Sequence, residues 1–251
     1  LGGEVMFWVV QEDLYCENRR YDLVSVLERF DLPYQLVSVA SNSITPEIEY
    51  DGKIITNGSI MLSKIAVERG WKPGSLLNDN FNYEMWYPIF KEFLLNKNAV
   101  FTTLGEASIS KPMFIRPVLD NKVFNGRVYT HTEFETLRSG PTSPKLETQI
   151  LISTPKTIGM EHRHYIVDGK VVTSSRYKLG KTPNQQEGAD QNVLDFVAKI
   201  IKIWTPAKAF VLDTYTAGNE IGIVEMGCIC NAGLYQADLQ KLVIALEEME
   251  N

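Results

Sequence analysis

The chain has 251 residues, 44% of them hydrophobic and 22% charged, with a formal net charge of −6 at pH 7. That length allows one large domain or two small ones, and the composition is that of a globular chain rather than a disordered or fibrous one. The acidic balance removes the basic footprint of a general nucleic-acid binder, although it leaves a local basic groove open.

From the N-terminus, "EVMFWVVQ" reads as a buried strand by its length and composition. "RRYDLVSVLERFDL" follows with apolar residues at Leu23, Val26, Leu27 and Phe30, which is helical spacing. "YQLVSVA" is a second strand and "KIITNGS" a third. "SIMLSKIAVERG" is a helix that stops at Gly70. Ser59, after Gly58, marks either an anion turn or nucleophile, or simply the N-cap of that helix. These elements make a small α/β unit. It has no G-x-G-x-x-G and therefore no dinucleotide fingerprint. "WKPGSLLNDN" is a linker and sets a domain break near residues 71 to 80, giving domains 1–75 and 76–251.

Next, "FNYEMWYPIFKEFLLNK" has helical character, with Pro88 expected to kink it or delay its start. Its aromatic cluster is expected to serve interdomain packing. "PMFIRPVL" is a strand, "DNKVFNG" a turn, "HTEFETLRS" a short helix and "KLETQILIST" a strand. "PKTIGM" is a loop, and "EHRHYIVDGKVVTSSRYKLG" is a hairpin around Asp168-Gly169. "GADQNVLDFVAKIIKIW" is a long amphipathic helix. "FVLDTYTAGNEIGIVEMGC" is a second hairpin with a Gly-Asn turn, and "YQADLQKLVIALEEME" a final helix.

Charged residues stand on strands otherwise suited to burial. Arg116 ends one strand, and Lys122 lies in the turn that follows. Glu161, Arg163 and Tyr165 share one strand face, because side chains repeat every two residues. Arg176 closes the partner strand, and Asp213 and Glu225 sit in the two apolar runs of the second hairpin. A buried charge is costly unless it is paired or holds a metal. One resolution is internal salt bridging. The other is a polyanionic ligand with divalent cations: carboxylates suit magnesium, and arginine forks grip phosphate or carboxylate. The second resolution describes a nucleoside triphosphate site without a P-loop.

The order of these residues, from about 112 to 245, resembles the ATP-grasp superfamily. The matching pattern is a basic residue ending a strand (Arg116), a linker strand before a hinge (Gln149 to Thr154), E-x-R opening a hairpin (Glu161, Arg163), an arginine closing it (Arg176), and D…E on the last hairpin (Asp213, Glu225). "NGSIMLSKIAVERGWKPG" resembles the N-terminal unit of a phage and bacterial branch in which arginine replaces the usual phosphate-binding lysine. The resemblance implies an α+β fold: an ATP-grasp fold of two α+β subdomains gripping ATP, preceded by a small α/β domain. It also implies an ATP-dependent carboxylate–amine ligase with ATP and Mg2+ as cofactors, working through an acyl phosphate and releasing ADP.

Carried over by residue, the resemblance gives Arg116 and Lys122 to the phosphates, and the hinge strand (Gln149, Ile152, Ser153) to adenine through its backbone. Glu161 joins the nucleotide-binding set, Arg163 and Arg176 meet the acyl phosphate or incoming carboxylate, and Asp213 and Glu225 hold metal. Many relatives carry an asparagine two residues after the last acid. Here that position is Gly227, and Asn231 is the candidate substitute.

Other readings stand beside these. A non-catalytic nucleotide-binding module would keep the fold without full metal coordination. A nucleic-acid end-processing ligase is opposed by the acidic balance and by the lack of a nucleotidylation lysine motif. His162 and His164 point to the face opposite Arg163 and are expected to be structural. Cys16, Cys228 and Cys230 make no disulfide framework and no zinc spacing. No apolar run reaches the roughly 18 residues of a membrane span, and the opening residues have no basic n-region. The expectation is a cytoplasmic protein, in the host cytoplasm if phage-encoded. Its expected partners are small-molecule or peptide carboxylates and amines, without membrane or nucleic acid, in an oligomeric state the sequence leaves open.

Overall fold

The computed structural model describes residues 5–14, 19–119 and 123–249, so Cys16 and Lys122 lie outside the described residues. The chain forms two compact units, one from residues 1–78 with 158–251 and one from 79–157. No helix of the described residues is long and apolar enough to cross a membrane.

The first unit begins with β1 (Phe7–Gln11), α1 (Arg20–Arg29), β2 (Tyr34–Ala40), β3 (Ser43–Thr45), β4 (Ile54–Asn57), α2 (Ile60–Glu68) and the two-residue β5 (Pro73–Gly74). The sheet order is β3-β2-β1-β4-β5. β1 runs parallel to β2 and β4, and only β3 is antiparallel to its neighbour. Central parallel strands are buried on both faces and so carry continuous apolar runs; Trp8, Val9 and Val10 are all buried. Leu23, Val24 and Leu27 form the buried stripe of α1. Ser59 is the N-cap of α2, its Oγ accepting from Leu62 N at 3.4 Å.

The second unit holds α3 (Tyr83–Phe90), β6 (Val100–Thr103), β7 (Met113–Pro117), β8 (Arg127–Tyr129), α4 (His131–Ser139) and β9 (Gln149–Ser153). Its antiparallel sheet has the order β6-β9-β7-β8. Pro88 is tolerated because α3 ends two residues later, giving way to a tighter turn over Lys91–Phe93. The rings of Tyr83, Trp86 and Tyr87 pack on one another and on Phe101, all inside this unit. α4 starts from a capping box: Thr130 Oγ1 accepts from Glu133 N, and Glu133 Oε2 accepts from Thr130 N at 2.8 Å.

The chain then returns to the first unit with β10 (Met160–Val167), β11 (Lys170–Leu179), β12 (Thr182–Glu187), α5 (Gln191–Ile203), β13 (Ala209–Ala217), β14 (Glu220–Cys228) and α6 (Leu239–Glu247). These five strands form an antiparallel sheet in the order β12-β11-β10-β13-β14. Asp168 and Gly169 both take positive φ, 45° and 70°, as a two-residue hairpin turn requires. α6 ties this half to the start of the chain: Glu247 Oε1 accepts from Trp8 Nε1 at 2.6 Å, and its Oε2 accepts from Met6 N at 3.0 Å.

Candidate active site

Strand register assembles a charged row on one face of the C-terminal sheet. Arg163 on β10 lies directly opposite Asp213 on β13, and Asp213 lies directly opposite Glu225 on β14. Arg163 Nε and Nη2 donate to Asp213 Oδ1 and Oδ2, each at 2.8 Å. This is the two-pronged fork that guanidinium and carboxylate favour. The pair is withdrawn from solvent, with side-chain exposures of 11% for Arg163 and 4% for Asp213. Glu161, two residues before Arg163, accepts from Tyr177 OH at 2.8 Å and has Lys178 Nζ 2.7 Å from its Oε1.

The electrostatics follow from that crowding. Burial pushes the Asp213 carboxyl above its ordinary value; Arg163 pulls it down, while Glu225 and Glu161 push it up again. Burial works against the charge on Arg163, but Asp213 overrides it and holds the guanidinium well above its usual range. The row is therefore an intact ion pair beside further carboxylates, a setting that favours an added cation.

Two tyrosines close this face. The rings of Tyr177 and Tyr235 stack with centroids 4.9 Å apart at 14°. The Arg163 guanidinium sits 5.0 Å from the Tyr235 ring and 5.9 Å from that of Tyr177. Burial first, then the nearby carboxylates, raises the Tyr177 phenol, and burial raises that of Tyr235, so both stay protonated. The loop carrying Tyr235 is stitched to the sheet. Tyr165 OH donates to Gly233 O at 2.6 Å, and Gln236 N and Asp238 N donate to the hydroxyls of Ser175 and Thr173 at 3.1 and 2.9 Å. Neither tyrosine was singled out from the sequence.

Other expected site residues fall elsewhere. Arg176 lies opposite His162, not opposite Arg163. Its guanidinium donates to Asn184 Oδ1 and Gln186 Oε1 and approaches Met160 Sδ. Arg163 and Arg176 are thus on opposite faces, which corrects the expectation that both meet one substrate group. The physical reason is an irregularity between Glu161 and His162, where the β11 partner jumps from Lys178 to Arg176 and leaves Tyr177 on the Arg163 side. Asn231 also departs from its expected place. Its Oδ1 accepts from Ser63 Oγ, so the side chain anchors α2 instead of joining the Asp213–Glu225 row.

The histidines are structural, as expected. His164 has both ring nitrogens bonded to hydroxyls, Ser174 Oγ at 2.8 Å and Thr214 Oγ1 at 2.9 Å. Burial, with His162 adding to it, lowers its pKa to about 3.

Among the described residues no three His, Cys, Asp or Glu side chains converge as a ready-made metal cage. Magnesium does not need one, since it commonly binds through one or two carboxylates plus substrate phosphates. Asp213 and Glu225, adjacent and mutually repelling, fit that requirement.

In the second unit, Arg116 ends β7 with its guanidinium 5.3 Å from the Tyr83 ring and its Nε donating to Pro117 O. Gly126 packs on it: a Cβ at 126 would lie 2.8 Å from Arg116 Cβ. Gln149, Leu151 and Ser153 share the Arg116 face by register, while Ile152 points into the core with Ile115 and Phe134. β9 pairs with β6 from Gln149 to Ile152 and with β7 from Ile150 to Ser153. Most of the backbone expected to meet adenine is therefore engaged in the ladder. Ser153, paired only with β7 among the described residues, is where the strand is most open.

Residues 94–244 match a family model described as an ATP-grasp domain, the second family of its clade. The chain belongs to the ATP-grasp superfamily. The fold of this ATP-grasp chain is also that of solved ligases. A D-alanine–D-alanine ligase from Bacillus anthracis, complexed with ATP, aligns at TM-score 0.64 and 12% identity over 98% of this chain and 97% of that one. The D-cycloserine synthetase DcsG aligns at 0.63 and 9% over 96% and 99%. The ATP-grasp ligase PsnB, complexed with a minimal precursor, aligns at 0.58 and 11% over 96% and 98%. Comparison with curated proteins by sequence gives no match.

Proposed function

We propose that this ATP-grasp protein is an ATP-dependent carboxylate–amine ligase that forms an amide or peptide bond through an acyl phosphate. The carrying observation is the buried Arg163–Asp213–Glu225 row on an ATP-grasp chain. In this reading a substrate carboxylate oxygen attacks the γ-phosphorus of ATP, and the bond to the β-phosphate oxygen breaks to release ADP. An amine nitrogen then attacks the acyl carbon, phosphate leaves, and the nitrogen gives up a proton. Arg163 stabilises charge on the transferring group, where electrostatic positioning supplies most of the catalysis. Arg116 and Lys122 grip phosphates, and the Ser153 end of β9 meets adenine. Asp213 and Glu225 would hold Mg2+, which when bound neutralises polyphosphate charge.

The test is ADP release from ATP and Mg2+ with pools of amino acids and peptides, run with hydroxylamine to trap an activated carboxylate as its hydroxamate. Wild-type turnover that disappears in Asp213→Asn supports the reading. No ADP with any pool, together with no ATP-induced rise in melting temperature, overturns it.

A second reading rests on Gly227, which occupies the position expected for a metal-binding asparagine. On that reading the chain is a nucleotide-binding module without catalysis, and it would bind ATP tightly with no hydroxamate formed.

A further inference from the structure

We propose that the open edge of β11, from Lys170 to Thr173, docks an extended peptide with alternating apolar and acidic side chains, added as a strand in line with β12. This goes beyond the ligase reading and does not depend on it.

The edge is open because of how β12 ends. β12 pairs with β11 only from Ser175 to Leu179. Beyond Glu187 the chain turns at Gly188, whose φ of +86° suits glycine, and leaves the sheet for α5. Gly188 N donates to Ser174 O at 2.8 Å as the last link. Among the described residues no strand continues along Lys170–Thr173. Backbone donors and acceptors on such an edge are a template for another strand.

The vacant strand position opens into a cavity of about 550 Å³ whose wall includes Leu194, Ala198 and Ile201 of α5. That volume is within the roughly 300–1,000 Å³ typical of ligand pockets. The three residues are spaced four and three apart on one helix face and are half-buried, whereas Val193, Val197 and Ile200 lie fully beneath. α5 therefore shows more apolar surface than the sheet covers, next to unpaired backbone.

Charge selects the occupant further. Lys170 and Lys202 line the same cavity, and neither pairs with an acid among the described residues. Lys241 is already paired with Asp238. An acidic side chain on the peptide would meet the two free lysines. The β-bulge at Tyr165/Ile166 restricts the edge to a short match of about three or four residues.

The probe is fluorescein-labelled acetyl-Val-Glu-Val-Glu-amide, compared with the same peptide N-methylated at both valines and with the Val-Lys-Val-Lys version, all without nucleotide. Binding is read by anisotropy, and amide exchange of the whole protein is followed by mass spectrometry. The acidic peptide is expected to bind and to slow exchange in residues 170–173. N-methylation, charge reversal, or Ala198→Arg, which fills the groove from the half-buried face of α5, should each weaken it about tenfold. The idea is overturned by no anisotropy change up to millimolar peptide, by protection mapped elsewhere, or by affinity that N-methylation leaves unchanged. If Ala198→Arg does not fold, the N-methyl peptide and the exchange map still decide.

Discussion

Replacing Arg163 with Met removes one half of a pair that solvent barely reaches, with side-chain exposures of 11% and 4%. Both hydrogen bonds of the fork, at 2.8 Å each, are lost. Asp213 is then left buried next to Glu225 and Glu161, whose charges already raise its pKa. Breaking a buried pair by removing one partner costs about 3–5 kcal/mol. For a chain of this size that lowers the melting temperature by roughly 2–4 °C per kcal/mol. Asp213→Leu should cost a similar amount, because it strands the guanidinium instead. The double variant Arg163→Met/Asp213→Leu should recover most of the loss, since an apolar pair of similar volume often replaces a buried ion pair at little net cost. Urea unfolding of the four proteins closes the cycle. All three variants should lose ADP release whatever their stability. Single-variant losses of only about 1 kcal/mol, the range of an exposed ion pair, would refute the assignment of a buried, strongly coupled pair.

Three further outcomes follow from the geometry. Gly227→Asn would add an amide on the Asp213–Glu225 face, where a Cβ meets only Val211 Cγ2 at 3.5 Å; it should fold normally and lower the Mg2+ concentration needed for half-maximal ATP binding, read by magnesium titration. Gly126→Ala would place a Cβ 2.8 Å from Arg116 Cβ; ATP affinity measured by calorimetry should fall several-fold, and an unchanged affinity would separate Arg116 from the phosphates. His164 is neutral in the fold with a pKa of about 3, below its ordinary 6.5. The unfolded chain takes up a proton there first, so this contribution to stability is complete above about pH 6.5 and is lost as pH falls toward 3, at up to about 1.4 kcal/mol per unit. NMR should find the His164 ring neutral at pH 5, and a ring titrating near 6.5 would contradict its buried, doubly bonded setting.

Much of the fold was legible because burial writes itself into pattern. The apolar run of β1, the amphipathic face of α5 and the Asp168-Gly169 turn each carry a local cause. The same alternation placed Glu161, Arg163 and Tyr165 on one face and the histidines on the other. Reading failed where the cause was not local. β12 has six exposed residues and no apolar alternation, and is held only by the ladder to β11. The irregularity that moves Arg176 away and brings in Tyr177 adds a residue to one strand against its partner, something no single-strand pattern contains. Asn231 is fixed by Ser63, 168 positions earlier. Tyr235 reaches Arg163 through a loop whose course depends on hydroxyls of β11.

The bond from Glu247 to the indole of Trp8 spans 239 positions. During synthesis the opening strand must therefore wait for almost everything after it before its surroundings are complete. At about 5–20 residues per second on the ribosome, that wait is on the order of ten seconds or longer. The waiting segment holds Trp8, Val9 and Val10, as apolar as any run in the protein, which makes it a natural client for a chaperone that binds nascent chains. Shortening the gene from its 3′ end past codon 247 should leave that strand sticky in the finished product as well.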